Sequence, residues 1–469
     1  AHYTDARSIM RIVDPVIVDP LVAEWQTCRA AIETLLAKDK GSRPVLRKKK
    51  ETSKPYLQAQ NLYQSFLERL GKFRVLDPAC GSGNFLYLAL QALKDLELRA
   101  TLEAEQLGLP RAFVGMNTGV QNVVGIELNS YAAELARVVI WIGEIQWMLR
   151  HGVAPSRDPI LKPLDTIECR DAILNNDGTE ATWPKVDAIV GNPPFLGNKK
   201  MRDGLGAEYT ERLRRCYSAT LPGGADLVTY WFEKARAAIV RDEVVRAGLV
   251  GTNSIRGGPS RVILENITRD VGIFDAWSDE PWINEGAAVR VSLVCFGKSD
   301  GHRLDAVSVP LIFADLTPGS ADATNANLTQ ARRLGENLRV SFMDVTKSGP
   351  FDITGEAARK MVVAPNPSRR HNADVLSPSI NGADLAGRPS GEWIISFGTM
   401  AEVEAAHYEA PWEYALMNIK TARQSSRTAR NRLLWWRFER PRPELFGVLA
   451  PLSRYLATPL VSKHRFFVW

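Results

Sequence analysis

The chain has 469 residues, 45% of them apolar and 24% charged, an ordinary globular composition that excludes disorder as the default state. No uninterrupted apolar run approaches the roughly 18 residues that a membrane span needs, so no membrane association is expected and the reading is cytoplasmic. The five cysteines, Cys28, Cys80, Cys169, Cys216 and Cys295, are scattered and never spaced as CxxC, which argues against a disulfide framework or zinc ribbon; no metal is expected. Net charge is +6, but Thr421 to Trp469 holds ten Lys/Arg against two Asp/Glu, so the basic character sits at one end. That is the footprint of a polyanion-binding module, with a solvated charged face as the plainer alternative.

Taken in chain order, residues 1–71 form an N-terminal helical segment. Ile9, Val13, Val16, Ile17 and Leu21 fall on a helix-like spacing, with breaks expected at Pro15 and Pro20. A basic linker with Arg47-Lys48-Lys49-Lys50 follows, then a second helix over 57–70 that Gly71 should end. Residues 72–300 alternate short apolar runs with longer helical patterns, the mark of an α/β fold with a parallel sheet. The strand candidates are Phe73–Leu76, Asn122–Ile126, Asp165–Glu168, Val186–Val190, Ala247–Val250, Ile273–Ala276 and Arg290–Cys295. The helices expected between them are Asn84–Gln106, Ser130–Leu149, Asp226–Arg241 and Ser260–Arg269. These elements predict a doubly wound, mostly parallel, seven-stranded Rossmann-like sheet. Residues 301–349 are expected to be a polar connector, and 350–469 a separate mixed α/β domain.

Two constellations carry chemistry. Val75-Leu76-Asp77-Pro78-Ala79-Cys80-Gly81-Ser82-Gly83-Asn84-Phe85 sets a strand, a glycine-rich turn and a helix start in succession, where bare backbone can approach a ligand. The spacing differs from GxGxxG, so a nicotinamide dinucleotide fits poorly. Glu127 ends the next strand, where an acid can hold ribose hydroxyls, although an insertion around 103–119 lengthens the interval. Cys80 is expected to be a buried filler and not a nucleophile.

The second constellation is Asn192-Pro193-Pro194-Phe195, delivered by the apolar strand Val186–Val190 at the edge of the sheet where ligand sites lie. The prolines stiffen the turn and remove two donors. The Asn192 side-chain oxygen and the Pro193 carbonyl are two acceptors, and Phe195 offers a flat apolar face. Such a set suits an exocyclic amine on an aromatic ring: two acceptors draw its hydrogens out of plane and localise the lone pair, while the ring stacks. Taken alone, a rigid strand-ending turn explains the tetrapeptide nearly as well.

The two motifs in this order strongly resemble motifs I and IV of the amino-methyltransferases acting on DNA, in the gamma arrangement. The resemblance implies S-adenosyl-L-methionine as cofactor and N6 of a flipped-out adenine in double-stranded DNA as target. It places Asp77, Pro78, Ala79, Cys80, Gly81, Gly83, Asn84, Phe85 and Asn192 around the cofactor, with Glu127 on its ribose and Asp171 accepting from its adenine amine. His2-Tyr3-Thr4 resembles the motif that holds the methionine end. Asn192 in first position goes with adenine in this group, where N4-cytosine enzymes usually carry Ser. Gly224-Ala225-Asp226-Leu227 and Gly248–Ser254 resemble later motifs of the same group.

At the C-terminal end, Arg423, Arg427, Arg430, Arg432, Arg437, Lys463 and Arg465 surround or follow Trp435 and Trp436, residue types that grip phosphates and stack or wedge between bases. The segment resembles the target-recognition region of single-chain type IIL/IIG restriction–modification enzymes. A core tryptophan pair is the alternative. No PD…ExK nuclease pattern is seen; a start at Ala1 leaves room for a nuclease domain upstream, or for a separate nuclease subunit, and the recognition domain is open to being incomplete. The same acceptor chemistry would serve guanine N2 in RNA or a protein glutamine amide, and a non-catalytic DNA-specificity subunit is a third reading.

Overall fold

The computed structural model describes the chain except residues 1–4, 41–52, 111–115, 153–163, 285–286, 300, 321–330, 333, 427 and 463. His2, Tyr3, Thr4, the Arg47–Lys50 run, Arg427 and Lys463 therefore lie outside the described residues. The chain divides into two compact units, residues 1–330 and 331–469.

The first unit opens with α1 (Ala6–Val13), a π-helical turn at Asp14–Val18 and α2 (Asp19–Lys40). The break expected at Pro15 and Pro20 does not occur. Proline lacks an N–H and crowds the carbonyl four residues back; the wider π turn relieves both, so the helix runs on. The following helix, α3 (Lys54–Lys72), passes through Gly71 and ends one residue later.

The sheet strands follow: β1 (Val75–Asp77), β2 (Val123–Glu127), β3 (Ile167–Cys169), β4 (Ala188–Gly191), β5 (Arg246–Thr252), β6 (Ile273–Asn284) and β7 (Ala287–Gly297). All seven expected strands form, but the sheet has nine. Two short strands, β8 (His302–Leu304) and β9 (Val307–Val309), extend it in the order β3-β2-β1-β4-β5-β7-β6-β8-β9. They lie at the start of the stretch expected as a connector, and at three residues each they are too short for any alternation to announce a strand. The five strands β3-β2-β1-β4-β5 pair in parallel, and β7 inserts antiparallel between β5 and β6. Buried on both faces, β4 is apolar throughout, and β1 is apolar up to Asp77 at its carboxyl end.

Helices α4 (Asn84–Gln106), α5 (Ser130–Arg150), α6 (Asn198–Leu205), α7 (Ala207–Cys216), α8 (Thr229–Val240) and α9 (Arg261–Asp270), with a two-stranded antiparallel pair of β10 (Leu311–Ile312) and β11 (Pro318–Gly319), belong to the same unit. One face of the sheet packs on α1 and α2, joining Ile12, Val16 and Trp25 to Val75, Val190 and Val250. The other carries α8 and α9, with Phe232, Ile263 and Ile267 against Leu76, Ile189 and Leu249. The N-terminal helices come so close that a Cβ on Gly248 would lie 2.6 Å from Ile12; only glycine fits this point of β5. They are thus a layer of the sheet domain.

The second unit is small. Strands β12 (Asp352–Thr354), β13 (Leu376–Pro378) and β14 (Glu392–Ile395) form an antiparallel sheet in the order β12-β14-β13, and short helices accompany them. Its core gathers Phe351, Ile395, Phe397, Tyr408, Trp435, Trp436 and Phe438.

Candidate active site at the carboxyl edge of the sheet

Strands β1 and β4 are neighbours in the sheet, so the glycine-rich turn and the Asn-Pro-Pro-Phe turn leave the same edge side by side. Asp77 ends β1 fully buried, with its Oδ1 accepting from the Ala79 amide at 3.0 Å. A Cβ at Gly191, the last residue of β4, would stand 2.5 Å from that oxygen. The strand before the second motif thus needs glycine to admit the carboxylate of the first. Burial pushes the Asp77 carboxyl up to about 8, the Ala79 amide opposes this and the nearby Glu127 charge adds to it. Below that value the acid keeps its proton, and with no cation beside it among the described residues its ionised form is one that an incoming cationic group would favour.

The turn itself is shaped by two left-handed glycines. Gly81, at φ +52°, has open space where its side chain would be, and Gly83, at φ +86°, begins α4 with a Cβ position only 3.2 Å from Ala136. The Gly81 amide donates to Glu127 Oε2 at 2.9 Å and the Asn129 amide to Oε1 at 2.8 Å. Glu127 is therefore oriented by backbone, and each oxygen keeps a lone pair for an incoming hydroxyl. From below, the buried indole of Trp231 donates to the Pro78 carbonyl at 3.0 Å. Cys80 is a core filler, its Sγ 2.8 Å from where a Cβ on Gly125 would sit, and burial raises its thiol above the usual range. Phe85 is likewise buried in the core, while Asn84 stands half-exposed at the first turn of α4.

In the second motif the Asn192 Oδ1 is buried and has no hydrogen-bond partner among the described residues. A buried acceptor left empty costs roughly 1–3 kcal/mol, so its presence at this edge marks a place where a donor is expected to arrive. Pro193 is buried, Pro194 exposed, and Phe195 half-buried against both faces of the core. Beside Phe195 lies a cavity of about 310 Å³, lined also by Asp226, Val228, Thr252, Ser254 and Val289. Asp226 ties the loop in place: its Oδ1 accepts from the Asn198 amide at 2.8 Å and its Oδ2 from the Ser254 hydroxyl at 2.6 Å. The adjacent Leu227 amide donates to the Leu196 carbonyl at 2.9 Å.

Asp171, following β3, has its Oδ1 on the Ile173 and Leu174 amides at 2.7 and 3.2 Å and its Oδ2 on the Tyr209 hydroxyl at 2.7 Å. The edge thus brings Asp77, Gly81, Glu127, Asp171 and Asn192 onto successive neighbouring strands. Tyr209, Trp231 and Asp226 were not singled out as site residues. The Asp226 segment had a motif signal, whereas Tyr209 and Trp231 are helical aromatics that sequence cannot distinguish from core.

The chemistry of these residues is compatible with S-adenosyl-L-methionine: a buried acid whose ionised form a cation would favour, an acid at a strand end for hydroxyls, open space over Gly81 and, among the described residues, an unpartnered buried acceptor on the neighbouring strand end.

The basic C-terminal cluster is arranged otherwise. Trp435 and Trp436, expected to face DNA, are core residues at 5% exposure; Trp436 donates to the Met400 carbonyl at 3.0 Å, and Trp435 packs on Trp412 at 4.9 Å. Arg423, also expected on the DNA face, is 1% exposed. Its guanidinium serves the carbonyls of Lys347, Ser348, Leu434 and Arg437, so it is a bracket inside the fold. Both corrections share one cause: in a domain this small, large side chains are the main source of core. Arg437 is half-buried and donates to the Met400 carbonyl at 2.9 Å. Arg430, Arg432 and Arg465 are exposed, although Arg432 donates to the Ser426 carbonyl and Arg465 to the Pro459 carbonyl at 3.1 Å.

Comparison with known proteins supplies the family. DNA methyltransferase A of Bacillus subtilis (strain 168) is 28% identical over 358 residues, which is 72% of this chain and 35% of that protein. A putative type II restriction enzyme and methyltransferase of Methanocaldococcus jannaschii is 32% identical over 88 residues, 19% of this chain and 7% of that protein. The solved structure of the type IIL restriction–modification enzyme MmeI in complex with DNA matches with a TM-score of 0.67 at 20% identity, covering 93% of this chain and 56% of that one, and so shares its fold. The chain thus spans about a third of the Bacillus protein and little more than half of the MmeI chain. The family model described as MmeI, DNA-methyltransferase domain, matches residues 48–305, more than half of the chain, and the protein belongs to that family.

Proposed function

We propose that this protein methylates N6 of an adenine turned out of duplex DNA, with S-adenosyl-L-methionine as donor, as the modification part of a restriction–modification system. The observation that carries the chemistry is the buried, unpartnered Asn192 Oδ1 at the edge shared with Asp77. When bound, the cofactor would supply an electrophilic methyl group on its sulfonium sulfur: the amine nitrogen would bond to that methyl as the carbon–sulfur bond breaks, S-adenosyl-L-homocysteine would leave as a neutral thioether, and the surplus proton on nitrogen would pass to water.

The chain's own part is alignment. Asn192 Oδ1 and the Pro193 carbonyl accept the two amine hydrogens and turn the nitrogen lone pair out of the ring plane. Phe195 stacks on the base, a contact of about 1–3 kcal/mol. Asp77 and Glu127 hold the cofactor's cationic and hydroxyl groups, fixing the methyl against the nitrogen; holding both reactants in line is the main source of rate in such a transfer. Opening the duplex is assisted where the base finds a shaped pocket, and the cavity beside Phe195 has the size range of a small-molecule site. Adenine over cytosine rests on Asn192, and DNA over RNA or protein on the family, with Arg430, Arg432 and Arg465 as phosphate contacts.

The test is transfer of labelled methyl to duplex DNA, RNA and protein extract in parallel, followed by nucleoside analysis. N6-methyladenine in DNA is the expected product. Label confined to RNA or protein, or appearing as N4-methylcytosine, overturns the reading.

A further inference from the structure

The turn after β3 is held in an unusual way. Three consecutive residues each offer an acceptor to an aromatic donor: Asp171 Oδ2 to the Tyr209 hydroxyl at 2.7 Å, the Ala172 carbonyl to the Trp183 indole at 2.7 Å, and the Ile173 carbonyl to the Tyr217 hydroxyl at 3.2 Å. Two of these donors belong to α7 and its C-terminal cap, in the hairpin that begins three residues after Phe195. The start of that hairpin is pinned as well: the Asn198 amide donates to Asp226 and its side-chain oxygen accepts from Arg214 at 2.6 Å. One short insertion therefore runs from the Asn-Pro-Pro-Phe loop to the turn bearing Asp171.

Of the three clamps, that of Tyr209 differs in kind. Trp183 and Tyr217 hold main chain, whereas Tyr209 holds the carboxylate itself. Burial and the Asp171 charge raise the Tyr209 phenol above its ordinary range, which keeps it a donor. With two amides on one oxygen and a phenol on the other, Asp171 is presented in one orientation and as an acceptor alone.

We propose that Tyr209 is a positioning residue for the cofactor: by orienting the Asp171 carboxylate it makes this subsite accept a 6-amino purine and reject a 6-oxo purine. This rests on the proposed cofactor role of Asp171. A 6-oxo purine presents an acceptor where the amino form presents a donor, so a fixed carboxylate is left facing a lone pair. A carboxylate free to rotate away tolerates both.

The experiment measures binding of S-adenosyl-L-homocysteine and S-inosyl-L-homocysteine to the full chain by calorimetry, with thermal melts of each variant. Tyr209→Phe is expected to weaken the adenosyl ligand by about tenfold, the worth of a hydrogen bond to a charged group, and to leave the inosyl ligand nearly unchanged, so the preference shrinks. Trp183→Phe loses a main-chain clamp of the same turn and should lower the melting temperature while keeping the preference. In an Asp171→Asn background the Tyr209→Phe effect on preference should vanish, which separates positioning from general loss of structure. If wild-type protein shows no preference for the adenosyl ligand, the cofactor reading of Asp171 falls and this proposal with it. If the wild type prefers it and Tyr209→Phe keeps the preference, Tyr209 alone is overturned.

Discussion

The two units use the same kinds of residue to opposite ends. At the sheet edge, polar groups are buried and, among the described residues, left short of partners: Asn192 Oδ1 has none, and Asp77 is enclosed without a cation. In the C-terminal unit, the residues with the most functional look are saturated. Arg423 serves four carbonyls, and Trp435, Trp436 and Phe438 fill a core. Stability favours satisfaction, so an unsatisfied buried group at a sheet edge points to a ligand, and a satisfied one to architecture.

Mutations can break that contrast. The largest effect is expected at Asn192. Asn192→Ala should lower the rate of methyl transfer by about 10²–10³-fold or more, the scale seen when an aligned polar partner is removed, while cofactor affinity stays within a few-fold. A variant that keeps both rate and affinity would remove Asn192 from the chemistry. Next is Gly191→Ala, whose new methyl would lie 2.5 Å from Asp77 Oδ1. Its expected signature is loss of cofactor binding with retained near-native helix content, read by calorimetry and circular dichroism.

In the second unit, Arg423→Ala should destabilise by about 3–5 kcal/mol because it removes a buried, multiply bonded group, and Trp436→Ala should cost a similar amount through its cavity. Exposed Arg430→Ala should leave melting unchanged and reduce the slope of log affinity for DNA against log salt by about one. Equal melting temperatures for the Arg423 and Arg430 variants would sink the distinction between bracket and contact.

The smallest effect is a proton. Burial pushes the Asp77 carboxyl from 3.8 up to about 8, so the folded state holds the extra proton between those values. Its contribution to apo stability is complete below pH 4 and lost as pH rises through 8. A cationic ligand favours the carboxylate, so cofactor binding should release a proton below pH 8 and tighten as pH rises toward it. Calorimetry in buffers of different ionisation enthalpy reads this directly, and Asp77→Asn should abolish the proton term.

Much of the first unit was legible in its residues. Local patterning placed all seven expected strands and both site turns, because buried strands show as short, mostly apolar runs and a glycine-rich turn follows β1. What failed was less local. The π turn at Pro15, the two added strands β8 and β9, and the burial of Arg423 and the tryptophans depend on what lies opposite each residue in space.

Glu127 and Asn192 could be nominated from their places at strand ends, because the sheet edge gathers those ends by construction, and Asp77 from the resemblance of its motif. That Asn192 lacks a partner, that Gly191 makes room for Asp77, and that Tyr209 grips Asp171 across 38 positions were decided by tertiary structure alone. The physical reason is common to all three. A residue type states what a side chain is able to bond, and only packing determines which of those bonds the fold has already taken.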